Sequence, residues 1–174
     1  MGERIVTIFG TGKAKPGDLA YQLAYDVGRV LAEARFTIAN GGYGGTMEAA
    51  AKGAAQAGGK TIGVTCSAFT AKANKYISRE VTTDSLQQRL DTLIESGLAY
   101  VVLPGGTGTL LELAKVWELE NKGFLKKNRP IILVGEFWKP LVDLIATLDP
   151  ESSSLIQSAD GPERIKEFLV NVDG

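Results

Sequence analysis

The sequence predicts an α/β fold, a Rossmann-like parallel sheet with helices on both faces, formed as a single domain over residues 1–174. Three observations lead to it. Short apolar runs rich in β-branched residues alternate with longer segments of helical spacing. Three of those runs end in glycine-rich turns, and 174 residues suit one core that buries roughly two-thirds of the unfolded chain's surface. Because the runs are apolar at nearly every position, helices should cover them on both sides, as in a parallel sheet with right-handed crossovers.

Taken in chain order, Arg4 to Phe9 reads as a strand ending in Phe9-Gly-Thr-Gly, and Leu19 to Ala34 as the helix after it. Phe36 to Ala39 is the next strand, closed by Asn40-Gly-Gly-Tyr-Gly-Gly-Thr and followed by a helix over Thr46 to Ala57. A third strand spans Thr61 to Val64, whereas Thr65 to Val81 is polar and weakly periodic, a loop or short edge strand beside it. A helix over Asp84 to Glu95 leads to the strand Tyr100 to Leu103, the turn Leu103-Pro-Gly-Gly-Thr-Gly-Thr and a helix over Thr109 to Asn121. The strand Pro130 to Val134 precedes helices over Trp138 to Thr147 and Pro162 to Asn171, with Asp149 to Ser154 as turn and loop. Pro162 suits the first turn of its helix, where the missing N–H costs nothing.

Composition removes several classes of function. With 19 Lys+Arg against 20 Asp+Glu the chain has no global field to attract nucleic acid or an anionic membrane, so any anion must be held locally. There is no histidine, hence no imidazole triad, and with the one cysteine, Cys66, no ordinary zinc site either. The lone thiol fits a reducing compartment, and the N-terminus has no secretory signal, so a cytoplasmic protein is expected, with no metal and no cofactor. No apolar run approaches the ~20 residues a membrane span requires.

The glycine-rich turns point to phosphate. Each lies between a strand and a helix, at the carboxyl edge where open parallel sheets bind ligands. Glycine lets backbone amides approach an anion, and a helix N-terminus adds unsatisfied donors and partial positive charge. The amides of Gly105, Gly106, Thr107, Gly108 and Thr109, with Gly10, Thr11 and Gly12, form the candidate phosphate site. Neither a Walker loop nor a dinucleotide fingerprint is present. Glu112 follows the third turn by one helical turn, close to any anion seated there, although Thr109 and Glu112 also spell a T-x-x-E capping box. Arg89 lies on the preceding helix, where spacing alone makes it continue the wet face of Asp84, Gln87, Gln88, Asp91 and Glu95. Tyr43 is placed to stack on a base or to lie at the surface. Leu110, Leu113 and Trp117 form a core stripe, and Cys66 lacks a base to activate it.

Pro104-Gly-Gly-Thr-Gly-Thr-Leu-Leu-Glu112 fills every fixed position of the PGGxGTxxE signature, and so resembles the Lonely guy (LOG) family of phosphoribohydrolases, which release cytokinin bases from nucleoside 5′-monophosphates. The likeness extends over the opening Gly10-Thr11-Gly12 and the Gly41-Gly42-Tyr43-Gly44-Gly45-Thr46-Met47 segment. It implies that Gly41, Gly42, Gly45 and Met47 join the nucleotide site, that Arg89 and Glu112 are the catalytic pair, and that the chain is a homodimer. Leu111, Val116 and Leu119, outside the core stripe, are the apolar residues such a dimer would cover. The family's M-x-x-R-K pattern reads Leu86-Gln87-Gln88-Arg89-Leu90, and Glu48 replaces a customary glycine, so the chain is similar also to molybdenum-cofactor carrier proteins. Two functions stay open: a hydrolase acting on an AMP-like nucleotide, and a non-catalytic carrier of a nucleotide or a molybdopterin-like ligand.

Overall fold

The computed structural model describes residues 2–125, 129–170 and 172. Their elements in order are β1 (Ile5–Phe9), α1 (Leu19–Glu33), β2 (Thr37–Asn40), α2 (Thr46–Gln56), β3 (Thr61–Cys66), β4 (Arg79–Thr83) and α3 (Leu86–Ser96). After them come β5 (Ala99–Val102), α4 (Thr107–Asn121), β6 (Ile131–Val134), α5 (Lys139–Ala146), α6 (Pro150–Ser153), β7 (Ile156–Ala159) and α7 (Pro162–Leu169). The strands form one parallel sheet in the order β4-β3-β2-β1-β5-β6-β7, with helices on both faces, a Rossmann-like α/β fold.

Alternate residues of the central strands feed two cores. Val6, Ile8, Ile38 and Val101 face α1, α2 and α7 on one side. Phe9, Ala39, Val64 and Val102 face α3 and α4 on the other. Since both faces are covered, β1, β2, β3, β5 and β6 are buried along nearly their whole length, which is why their sequences read as unbroken apolar runs.

The edge-strand alternative for the segment after β3 holds in part: its end forms β4, whose mostly exposed REVTT pairs with β3 at the sheet edge. Three expectations change. Asp149 to Ser154 is not only turn: it holds α6, started by Pro150 and by the Asp149 carboxylate accepting from the Ser152 amide at 3.0 Å. Strand β7 is an addition that the sequence does not signal, because IQSA is half exposed and interrupted by polar residues. Helix α4 begins at Thr107 rather than Thr109, with Gly106 in extended backbone as its cap. The end expected for the last helix, Asn171, lies outside the described residues, and α7 closes at Leu169.

Strand order reverses at β1 and β5, so their outgoing loops diverge and leave a crevice at the carboxyl edge. The first and third glycine turns flank it.

Candidate functional site

A cleft of about 490 Å³ occupies this crevice. The first turn contributes Gly10, Thr11, Gly12 and Lys13, the second Tyr43 and Met47, and the third Gly106, Thr107, Gly108, Thr109 and Glu112; Arg89 and Phe69 complete it. Of the residues expected to touch a ligand, Gly41, Gly42, Gly45 and Gly105 do not line the cleft.

The third turn leaves its donors open. The first intrahelical bond of α4 runs from the Leu110 amide to the Gly106 carbonyl at 2.9 Å, which leaves the amides of Thr107, Gly108 and Thr109 without helical partners. No side chain caps them. Three oriented N–H groups at the positive end of a helix suit an oxyanion.

The second turn uses part of its donors internally. Both the amide and the hydroxyl of Thr46 donate to the Thr11 carbonyl, at 2.9 and 3.0 Å, so one donor at the start of α2 is already taken by the first turn. Gly45, at φ 69°, lies so close that a Cβ there would come within 2.3 Å of the Thr11 carbonyl oxygen. The Gly42 amide donates to Asn40 Oδ1 at 2.8 Å, and Asn74 Nδ2 donates to the carbonyls of Gly42 and Tyr43. Tyr43 Oη accepts from the Cys66 amide at 2.8 Å, fixing the ring at the cleft wall.

Arg89 is buried, at 8 % exposure, not on the wet face that spacing suggests. Its Nε donates to the Val64 carbonyl at 2.8 Å and its Cζ lies 5.5 Å from the centroid of the Tyr43 ring. Gly41 makes the room: a Cβ there would stand 1.8 Å from Arg89 Nη2. This is a tertiary fit that no spacing rule contains.

Glu112 sits half-buried at the cleft, and desolvation pushes its carboxyl up to about 7, against a smaller downward pull from Arg89. The two are not in ion-pair contact, so Arg89 moderates the cost of ionisation without abolishing it. The capping-box reading fails: with Gly106 as the cap, Thr109 is the third helical residue, and no cap bond involves Glu112. A carboxyl that changes charge near neutrality, beside open amides, can act as general base or as an electrostatic partner for developing positive charge.

Neither spacing nor motif singles out Lys13 and Phe69. Lys13 is legible as a cation directly after Gly12; Phe69 lies in the aperiodic stretch after β3 and carries no signal. Leu113, Trp117 and Val116 are core, whereas Leu110, expected in the core stripe, is exposed because it lies on the outer side of α4, as is Leu111. Cys66 is buried.

A Rossmann-like α/β fold with a glycine-turn cleft at its switch point is the class these features define. The sequence profile of the SLOG cluster4 family matches residues 3–164, and the chain belongs to that family. It is 31% identical over 146 residues to a cytokinin riboside 5′-monophosphate phosphoribohydrolase of Rhodococcoides fascians, covering 80% of this chain and 73% of that one. A protein of the same name from Mycobacterium tuberculosis is 32% identical over 117 residues, 65% of this chain and 61% of that one. Among solved structures, the molybdenum cofactor binding protein of Rippkaea orientalis superimposes with a TM-score of 0.81 at 27% identity, over 97% of this chain and 96% of that one.

Proposed function

We propose that the chain binds a nucleoside 5′-monophosphate in this cleft and hydrolyses its N-glycosidic bond. The observation that carries the reading is the convergence, in one cleft, of the open amides of α4 and a carboxyl poised near neutral pH. In this reading Thr107, Gly108 and Thr109 hold the 5′-phosphate, with Gly10, Thr11 and Gly12 on the facing wall and Met47 beside Tyr43. Ionised Glu112 stabilises the ribosyl cation as the C1′–N bond breaks and the electron pair leaves with a purine or cytokinin-type base. Water then adds to C1′, giving ribose 5-phosphate, and its proton ends on the base. Arg89 keeps Glu112 ionisable in a desolvated position. Kinship with phosphoribohydrolases supports this chemistry.

A carrier reading is supported by the likeness to the molybdenum cofactor binding protein and by the loss of the M-x-x-R-K companions. Leu86 and Leu90, which replace them, line an apolar groove of about 720 Å³ with Leu111 and Ala114, between α3 and α4. That groove also supports a homodimer, since a second copy would cover it; light scattering should report twice the chain mass. We further propose a single domain resident in the cytoplasm, without nucleic-acid or membrane partners. No described helix is long and apolar enough to cross a membrane.

Incubation with AMP, followed by chromatography, separates the two readings. Adenine and ribose 5-phosphate in equal amounts are expected. AMP bound for hours by folded protein with no adenine above background would leave the carrier.

A further inference from the structure

We propose that Phe69 is the stacking surface for a planar heterocycle, so that the cleft selects ligands bearing a purine-like or pterin-like ring beyond their phosphate. The inference rests on the phosphate reading above and names the side chain that would hold the ligand's ring.

Phe69 lines the same cleft as the open amides of α4, yet it is 43% exposed. Large apolar area left in water is unfavourable, and at a cleft wall a bound group can remove it. Its backbone is anchored, the Phe69 amide donating to the Cys66 carbonyl at 3.0 Å, and its ring packs beside Tyr43, with centroids 5.9 Å apart at an interplanar angle of 60°. Tyr43 is itself anchored through the Cys66 amide and already carries Arg89 near its ring, so it serves as a fixed backing. Of the two aromatic side chains that line the cleft, Phe69 is the more exposed.

Its chemistry favours a flat π system. Aromatic pairs gain from offset or tilted contact beyond simple burial, and stacking on a side chain tolerates any base because every base has a π face. Met47 and Arg89 line the same cleft, and both a thioether and a guanidinium make favourable contacts with aromatic rings. A sugar phosphate alone would leave the Phe69 ring facing water. Purine and pterin share the required ring, and the probes below tell them apart.

The test compares three ligands by calorimetry on the full chain: ribose 5-phosphate, neopterin monophosphate, and carbocyclic AMP, whose ring oxygen is a methylene so that no oxocarbenium forms and no base is lost. Wild type should bind a ring-bearing ligand about tenfold more tightly than ribose 5-phosphate, and the tighter of the two identifies the ring. Phe69→Ala should erase that advantage and leave ribose 5-phosphate binding unchanged; Phe69→Trp should restore it. Equal affinity of all three ligands for wild type, or an equal loss for all three in Phe69→Ala, would overturn the proposal while ribose 5-phosphate binding by wild type keeps the phosphate site. Absence of ribose 5-phosphate binding to wild type would overturn the phosphate reading, and this inference with it.

Discussion

The second and third glycine turns look alike in sequence and differ in the fold, the second tied to its neighbours and the third open at the cleft. Asn40 to Thr46 is largely buried, the Gly42 amide donates to Asn40 Oδ1 and Thr46 to the Thr11 carbonyl, and Asn74 takes the carbonyls of Gly42 and Tyr43. Leu103 to Thr109 ends in three amides with neither a helical nor a side-chain partner. Glycine content therefore does not distinguish a turn built for packing from one built for binding. An account of where each backbone group finds its partner does, because a donor already satisfied inside the protein has little left for a ligand. The second turn still matters to the site, since it backs the first turn and leaves space for the Arg89 guanidinium.

The sharpest way to break this contrast is to test whether the open turn also carries chemistry. Glu112→Gln keeps shape and removes charge, so turnover of AMP should fall roughly 10²-fold or more with little change in affinity, as for loss of one preorganised electrostatic group. Arg89→Ala should depress turnover too. In wild type, kcat/KM should rise with pH through about 7 as the carboxyl ionises. The same group sets a stability slope. Its folded-state pKa of about 7 lies above the ordinary 4.5, so the folded state holds the extra proton between those values. Stability should then fall as pH rises across that window, by at most about 3 kcal/mol, and flatten above it. Melting curves should show Glu112→Gln gaining on wild type at pH 8 and matching it near pH 4.5; a constant gap would mean Glu112 is not desolvated in solution.

Two alanines sharpen the comparison directly. Gly45→Ala places a Cβ against the Thr11 carbonyl at positive φ, and should cost more than about 2 kcal/mol of stability. Gly108→Ala meets nothing within 4 Å and sits in a helix, so stability should hold or rise by up to about 1 kcal/mol. Gly108 lines the cleft, so an added methyl takes space from the ligand and ribose 5-phosphate affinity should drop about tenfold. Thermal melts and titrations on both variants check this. If Gly108→Ala proves the destabilising one, or Gly45→Ala folds normally and loses ligand, the roles assigned to the two turns are reversed.

Much of this architecture is legible in the chain. The five central strands are continuous apolar runs because helices cover both their faces, and the glycine turns mark the carboxyl edge by their composition and their place between strand and helix. Of the two edge strands, REVTT is legible only as a loop or edge strand and IQSA not at all, because an edge strand keeps polar, exposed positions and so lacks the run that signals its neighbours. The start of α4 is hidden for another reason: Gly106 caps it without a side chain, while Thr109 and Glu112 imitate a capping box two residues further on. Arg89 cannot be read from spacing, since its burial depends on Gly41, far away in sequence. Family likeness, not periodicity, singles it out. Phe69 has neither kind of signal.

The smallest expected effect probes the strap between the second turn and the segment after β3. Asn74→Ala removes the Nδ2 bonds to the Gly42 and Tyr43 carbonyls and the Oδ1 acceptor for the Tyr76 amide. Gly42 keeps a partner, because the Asn74 amide itself donates to its carbonyl at 2.8 Å. Tyr43 and Tyr76 are only half-buried, so water can reach their freed groups and the loss should stay near 1 kcal/mol. None of these bonds reaches the amides of α4, and ribose 5-phosphate offers no ring for Phe69, so its affinity should shift less than about threefold. Measuring both quantities on one preparation places the turn. A tenfold loss of ribose 5-phosphate binding from a change worth about 1 kcal/mol in stability would mean the second turn holds the phosphate after all, and the contrast between the two turns would not survive it.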